Sequence, residues 1–306
     1  MTKLLDQVLA GLMQRYQERV PDVERALGSM KNAGLIASID DIENDHIAFR
    51  TMGVPNLGIQ SFEKIFLACG YEKRDPYHFA IKKLDAFWYS PPEPKYPRIF
   101  ISELRVPDLT ESVQNVIRSY TDEVTVDPVD TLDLEDATAI DQFLHQPLWR
   151  CPTWQDYQLL SEESEYAAWV IYNRYYLNHF TISVHNLPSP YCEIEQFNKL
   201  LKDAGIKLNN SGGEIKTSPD GLLLQSSTVA ELIDAEFTSA ENAEAPESHK
   251  IAGSYVEFAE RRVLPQFEDL PEDQVQREHR RDGFEAGNAD KIFESTFSTQ
   301  TKRSDS

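Results

Sequence analysis

The same order of elements runs twice along this chain, and that doubling restricts the fold more than any other feature. A strand candidate, DHIAFRT at 45–51, is followed by a loop at Pro55 and Gly58. SFEKIFLACG at 61–70 then reads as a helix, with Ser61 as its N-cap and Gly70 as its stop. Three short runs rich in aromatic and β-branched residues come next: HFAI, LDAFWYS and RIFISEL, the last two separated by SPPEPKYP. Far downstream the pattern returns. HFTISVHN at 179–186 alternates like a strand, and CEIEQFNKLLKDAG at 192–205 reads as a helix ending at Gly205. IKLNN, EIKTS and LLLQSSTV suggest strands between GG and PDG turns, and SYVEFAER at 254–261 closes the set. Identity between the halves is low, so the repeat is one of architecture. Both first strands begin with a His (His46, His179), and both last strands hold a Glu in an apolar setting, Glu103 in FISEL and Glu257 in YVEFA.

The flanking segments follow other patterns. Residues 1–36 read as helical, with Leu4, Leu5, Val8, Leu9 and Leu12 at helical spacing. Residues 105–177 are acidic and mostly helical in pattern (DLTESVQNVIRSYTDE, LEDATAIDQFLHQ, ESEYAAWVIYNRYYL), which makes them an insertion or connector. The expected organisation is a single catalytic domain over 1–297: module one at about 45–104, the connector at 105–177 and module two at 178–297. The polar STQTKRSDS that follows, 298–306, is expected to be a disordered tail.

Charge and cysteine content narrow the function. Thirty Lys and Arg stand against 51 Asp and Glu, a formal charge of −21 that repels phosphate backbones and anionic membrane surfaces. A nucleic-acid partner is therefore not expected, whereas a local Arg or a metal can still attract a small anion. Cys69, Cys151 and Cys192 lie far apart with no C-x-x-C pair, which argues against a disulfide framework and a thiolate zinc site. The opening MTKLLDQVLAGLMQRYQERV mixes charges with apolar residues, as an amphipathic helix does and a signal peptide does not. No stretch approaches the roughly 20 apolar residues of a membrane span. A soluble cytoplasmic protein with no membrane partner is the expectation; no signature of an oligomeric state stands out.

The two first strands and the last one carry the chemistry. Side chains alternate faces along a strand. In DHIAFRT, His46, Ala48 and Arg50 share one face while Ile47 and Phe49 share the other. The apolar pair suits the core, and the His and Arg suit the two ends of one small diacid. His179, Thr181, Ser183 and His185 share a face of the second strand; Tyr255, Glu257, Ala259 and Arg261 share a face of the last. Two imidazoles and a carboxylate fit the facial triad of non-haem Fe(II) oxygenases, and the same donors can hold catalytic zinc. Glu260 and Glu103 are rivals for the carboxylate. His185 lies about 20 Å of extended strand beyond His179. His78, His145, His249 and His279 fall in segments read as loops or helices and are taken as ordinary. No Gly-rich phosphate loop and no G-x-S-x-G motif is present.

These paired halves with His, His and Glu resemble the vicinal oxygen chelate superfamily over roughly 45–104 and 178–297. That resemblance implies an α+β fold in which β-α-β-β-β modules pair into a half-open barrel around a metal, here with a helical insertion and a helical N-terminus. SYVEFAERR at 254–262 and DGFEAGNADKIFESTF at 282–297 are similar to the C-terminal region of 4-hydroxyphenylpyruvate dioxygenase. By that match Glu257 is the ligand and Glu260 is not, and Gly287 and Asn288 lie in a turn before a helix that closes the site. DHIAFRT, with its H-x-x-x-R spacing, and NHFTISVHN resemble the 2-oxoadipate dioxygenase/decarboxylase (2-hydroxyglutarate synthase) family. The resemblance implies that His46, His179 and Glu257 hold Fe(II) and that Arg50 contacts the substrate. It implies conversion of 2-oxoadipate and O2 to 2-hydroxyglutarate and CO2, in lysine breakdown. The alternatives are a 4-hydroxyphenylpyruvate-type dioxygenase on another 2-oxo acid, a glyoxalase-like Zn or Ni lyase with Glu103 as a fourth ligand, and a non-catalytic binding protein.

Overall fold

The computed structural model describes residues 2–239 and 246–303. Helices α1 (Thr2–Arg19) and α2 (Pro21–Asn32) form the N-terminus, divided where Pro21 can start a helix but cannot continue one. Module one follows as β1 (Asn44–Met52), α3 (Ile59–Ala68), β2 (Glu72–Phe79), β3 (Leu84–Ser90) and β4 (Arg98–Leu104). The connector holds α4 (Glu111–Thr121), α5 (Ala137–His145), α6 (Trp154–Glu163) and α7 (Glu165–Asn173), one helix more than the three sequence runs suggest. WQDYQLLSEE buries only Leu160 and so lacks the apolar stripe that announces a helix. Module two is β5 (His179–Ser183), α8 (Ile194–Asp203), β6 (Lys216–Thr217), β7 (Leu223–Ser227), a hairpin of β8 (Leu232–Phe237) and β9 (Glu247–Ala252), and β10 (Tyr255–Arg261). Helices α9 (Ala286–Ile292) and α10 (Ser298–Thr301) end the described chain.

One eight-stranded sheet carries both modules in the order β2-β3-β4-β1-β5-β10-β7-β6. Within each module the first strand lies parallel to the last, β1 on β4 and β5 on β10. The modules meet at the antiparallel pair β1–β5, where His46 pairs with Thr181 and Ala48 with His179. Laying β1 onto β5 so that His46 falls on His179 turns the first pairing into the second, so the halves are related by an approximate two-fold axis at this seam. The axis makes other residues equivalent. Arg98 pairs with His46 as Tyr255 pairs with His179. Phe100 is then the counterpart of Glu257, and Glu103 is the counterpart of Glu260. The sequence-level match of Glu103 with Glu257 is therefore wrong by three positions, a register error that strand pairing alone can expose.

Each module's helix covers one face of the sheet. Phe62 and Phe66 of α3 stack on Phe49 of β1 with ring centroids 4.8 and 5.5 Å apart. On the other half Phe197 of α8 meets Phe258 of β10 at 5.1 Å. Burying each such ring stabilises the fold by roughly 2–3 kcal/mol. Both helices are capped by a glutamate from the last strand of their own module. Glu103 accepts from Ile59 N at 2.7 Å and Glu260 accepts from Ile194 N at 2.9 Å. Helix α3 accordingly starts at Ile59, behind Gly58 with φ of 83°, and not at Ser61. A Cβ on Gly58 would meet the Glu103 carboxylate, so both the backbone angle and the cap require glycine there.

Other expectations change with the structure. IKLNN makes only an isolated bridge, Leu208 with Thr228, and EIKTS contributes the two residues of β6. HFTISVHN stops being a strand after Ser183 and turns through a 3-10 segment, Val184–Asn186, which takes His185 off the strand face. His78 and His249 lie in β2 and β9. The tail expected to be disordered is helical over Ser298–Thr301, held by Glu165, which accepts from Ser298 N at 2.6 Å and from its hydroxyl at 3.0 Å. Residues 304–306 of that expected tail lie outside the described residues.

Candidate metal centre

The three central strands bring the candidate ligands together. His46 is the third residue of β1, His179 the first of β5 and Glu257 the third of β10. The parallel register puts Glu257 opposite Thr181, one pleat beyond His179, and the antiparallel register puts His46 opposite the same Thr181. All three side chains are buried, at 1%, 5% and 1% exposure for His46, His179 and Glu257. Glu257 Oε1 lies 3.4 Å from His46 Nε2, and its Oε2 lies 3.1 Å from His179 Nε2. The two Nε2 atoms are 3.3 Å apart. One donor atom from each residue lies within 4.8 Å of the others, a group able to hold a metal ion.

The surroundings orient these donors. His46 Nδ1 donates to Asp45 Oδ2 at 2.8 Å, and His179 Nδ1 donates to Asn178 Oδ1 at 3.1 Å. In each half the preceding residue fixes the tautomer and turns Nε2 towards the other donors, the arrangement typical of metal-ligating histidines. Gln225 donates to Glu257 Oε1 at 2.6 Å, and its own carbonyl accepts from Asn288 at 2.9 Å. Asp45 is itself buried and held bidentately by Arg261, Nε to Oδ1 at 2.6 Å and Nη2 to Oδ2 at 2.9 Å, with Arg98 Nη1 3.3 Å from Oδ1. Arg261 also donates to the carbonyl oxygens of Arg281 and Gly283 at 3.0 and 2.8 Å. Next in the chain stands Phe284, whose ring meets that of His46 edge-on at 4.7 Å.

This charge pattern separates the two imidazoles. Burial works most strongly against protonating His46, but the carboxylates of Glu257 and Asp45 together outweigh it and raise its pKa. Burial, with His46 and Arg50 nearby, lowers that of His179 well below the ordinary value. Burial also works against ionising Asp45, yet Arg261 and Arg98 hold its carboxyl well below the usual range.

A cavity of about 20 Å³ adjoins the ligands, lined by His46, His179, Glu257 and Gln225 on the polar side and by Phe100, Tyr255, Phe284 and Phe293 among the rings. That volume holds about one water molecule. Arg50 stands just behind this lining rather than in it. It is 1% exposed, and it donates to Thr296 Oγ1 at 2.9 Å and to the Phe293 carbonyl at 3.0 Å. Its guanidinium lies 5.1 Å from the ring centres of both Tyr166 and Trp169. Its Nε has no hydrogen-bond partner. The rings that would suit an aromatic 2-oxo acid and the arginine that would suit a diacid are thus both present.

The rivals are engaged elsewhere. Glu103 and Glu260 cap α3 and α8. His185 Nδ1 lies 3.3 Å from the Ala259 carbonyl and 3.2 Å from Arg261 N, and burial pushes its pKa down to about 3. Gly287 and Asn288 lie inside α9 and not in a turn before it. Sequence reasoning missed Asp45, Asn178 and Gln225. For the first two a signal exists, since D-H and N-H recur at the same point of the repeat. For Gln225 nothing in LLLQSSTV distinguishes it.

Comparison with known proteins places this geometry. A family model for 2-oxoadipate dioxygenase/decarboxylase matches residues 8–272. A chloroplastic/amyloplastic 2-oxoadipate dioxygenase/decarboxylase of Oryza sativa subsp. japonica is 48% identical, over 97% of this chain and 79% of its own length. The crystal structure of a hydroxyglutarate synthase from Oryza sativa in complex with 2-oxoadipate superimposes with a TM-score of 0.84 at 44% identity, covering 97% of this chain and 93% of that one. A glyoxalase-superfamily protein from Ralstonia eutropha JMP134, at 18% identity, shares the fold with a TM-score of 0.72 over 92% of this chain and 85% of its own.

Proposed function

This chain belongs to the 2-oxoadipate dioxygenase/decarboxylase family, and from that premise we propose that it is an Fe(II)-dependent oxygenase converting 2-oxoadipate and O2 to 2-hydroxyglutarate and CO2. Atoms balance without a further reactant, because the two oxygen atoms of O2 make up the difference between substrate and products. The observation that carries the reading is the convergence of His46, His179 and Glu257 beside a buried Arg50 with an unpartnered donor. Three protein ligands and a cavity on one side fit a metal that must also accept small molecules. Glu103, the fourth ligand that a glyoxalase-like lyase would call for, is committed to α3. Bound to the triad, Fe(II) supplies the redox chemistry that couples O2 to decarboxylation of a 2-oxo acid.

The chain's own groups do the rest. Arg50 binds the distal carboxylate of the substrate, a charge-assisted contact whose fork geometry fixes orientation. Asp45 keeps the proton on His46 Nδ1, so that Nε2 stays a donor to the metal. Gln225 holds one oxygen of Glu257 and leaves the other free. Phe100, Phe284 and Phe293 exclude water from the reacting end. Because the cavity holds about one water, substrate entry requires the stretch from Phe284 to Thr296 to move outward. That stretch is tied to both ends of the site, to the ligand side through Asn288 and Gln225 and to Arg50 through Phe293 and Thr296.

The test is a stoichiometry. Protein loaded anaerobically with Fe(II) is mixed with 2-oxoadipate, 2-oxoglutarate or 4-hydroxyphenylpyruvate and then exposed to O2. Equal amounts of O2 consumed and of CO2 and 2-hydroxyglutarate formed, with 2-oxoadipate preferred, are expected. No O2 uptake by protein that demonstrably holds iron would overturn the assignment.

A further inference from the structure

Two of the buried donors beside the candidate metal centre that lack an acceptor sit near one another. One is Arg50 Nε; the other is the hydroxyl of Tyr255. Tyr255 is fully buried and lines the cavity, with its ring centroid 4.8 Å from that of His179. It stands two residues before Glu257 on the same face of β10, about 7 Å along the strand. Its position is rigid. The backbone carbonyl of Tyr255 accepts from the Tyr16 hydroxyl, and its N–H donates to the Asn178 carbonyl at 3.2 Å. Arg50 lies close enough to the phenol to interact with it.

A buried hydroxyl without a partner is unfavourable unless something completes it. Arg50 can donate to the phenol oxygen, but a guanidinium only donates and so offers no acceptor for the hydroxyl proton. A neutral donor in the cavity wall and a cationic donor just behind it are together complementary to an anion with two acceptor oxygens. We propose that the Tyr255 hydroxyl donates a hydrogen bond to the distal carboxylate of the 2-oxo acid, beside Arg50, and so selects substrates that end in a carboxylate over those that end in a methyl group. The inference rests on the functional reading above and adds the residue that sets specificity at the far end of the substrate. Tyr255 thus belongs to the substrate-binding wall, although its strand is placed by the sheet for the sake of Glu257.

The experiment compares wild type with Tyr255→Phe, which keeps the ring and removes only the hydroxyl. Both proteins are loaded with Fe(II) without oxygen and titrated calorimetrically with 2-oxoadipate and with 2-oxohexanoate, which lacks the distal carboxylate. A hydrogen bond to a charged group predicts roughly 10- to 100-fold weaker binding of 2-oxoadipate by the variant. Binding of 2-oxohexanoate and iron content should stay as in wild type, and in turnover KM for 2-oxoadipate should rise more than kcat falls. Equal weakening for both ligands would make Tyr255 a packing residue, and no weakening for either would leave its hydroxyl outside the site; each result overturns the inference. If wild type itself fails to bind 2-oxoadipate, the functional reading fails and this inference with it. If both proteins bind it equally well, only the role of Tyr255 is lost.

Discussion

Replacing Asp45 by Asn keeps the shape of the side chain and removes one charge from a deeply buried ionic cluster. Asp45 and Arg261 are each 1% exposed and Arg98 is 2% exposed. Arg98 retains Asp282 as a partner, at 2.5 Å. Arg261 hydrogen-bonds no other carboxylate among the described residues and is left with two backbone carbonyls. Removing one member of a buried pair costs about 3–5 kcal/mol, because the other charge stays buried. Asn still accepts from one donor, so the lower end, about 3 kcal/mol, is the better figure. Exposed pairs such as Arg105 with Asp108 are worth ~0.2–1 kcal/mol by comparison. At about 2–4 °C per kcal/mol for a chain of this class, Asp45→Asn should melt roughly 6–12 °C below wild type in scanning calorimetry. Metal affinity should fall about 10- to 100-fold as well, since the same carboxylate orients His46. Adding Arg261→Met to Asp45→Asn should cost less than Arg261→Met does alone, because the orphaned cation has gone. A melting point within about 2 °C of wild type would refute the reasoning.

Three other outcomes follow from particular contacts. Glu103→Gln and Glu260→Gln weaken the helix caps at Ile59 and Ile194 and should each cost about 1 kcal/mol in thermal unfolding, with iron affinity unchanged. A drop in iron affinity with Glu103→Gln would return that residue to the metal centre. Arg50→Lys gives up the planar fork that reaches Thr296 and Phe293 and should raise KM for 2-oxoadipate about tenfold or more, while the protein still binds iron; unchanged kinetics would remove Arg50 from the substrate site. Asp22, 4% exposed, has its pKa pushed up to about 6, chiefly by burial. The folded state therefore favours the neutral acid, and stability falls as pH rises from about 4 to about 6, by up to ~3 kcal/mol. Asp22→Asn should remove that slope, stabilising the protein at pH near 7 and changing little below about 4; a parallel pH–stability curve for the variant would contradict the assignment.

Much of the candidate site was legible because period-two patterning survives in strands that bury one ligand face and one apolar face. DHIAFRT, LDAFWYS, RIFISEL and YVEFAER all fall within a residue or two of β1, β3, β4 and β10. The facing of His46, His179 and Glu257 followed from the same alternation. What stayed hidden depends on non-local pairing. The equivalence of Glu103 with Glu260, and of Phe100 with Glu257, exists only in the register of β1 on β4 and of β5 on β10. The hairpin of β8 and β9 was missed because LIDAEF and ESHKIA expose charged residues on their outer face and read as loop. Gly58 as the start of α3 was hidden because the cap comes from Glu103, far along the chain, and not from a neighbouring serine. Tyr255 looked like an ordinary strand aromatic, since nothing local announces that its hydroxyl lacks a partner.

The central claim is that His46, His179 and Glu257 together hold the metal. Its most direct measurement is anaerobic calorimetric titration of Fe(II) into metal-stripped wild type and into Glu257→Ala. One Fe(II) per chain in wild type, with binding at least about 100-fold weaker in the variant, is the expected result, since a ligand itself should matter more than the outer groups that tune it. Undiminished Fe(II) binding by a folded Glu257→Ala protein would contradict it.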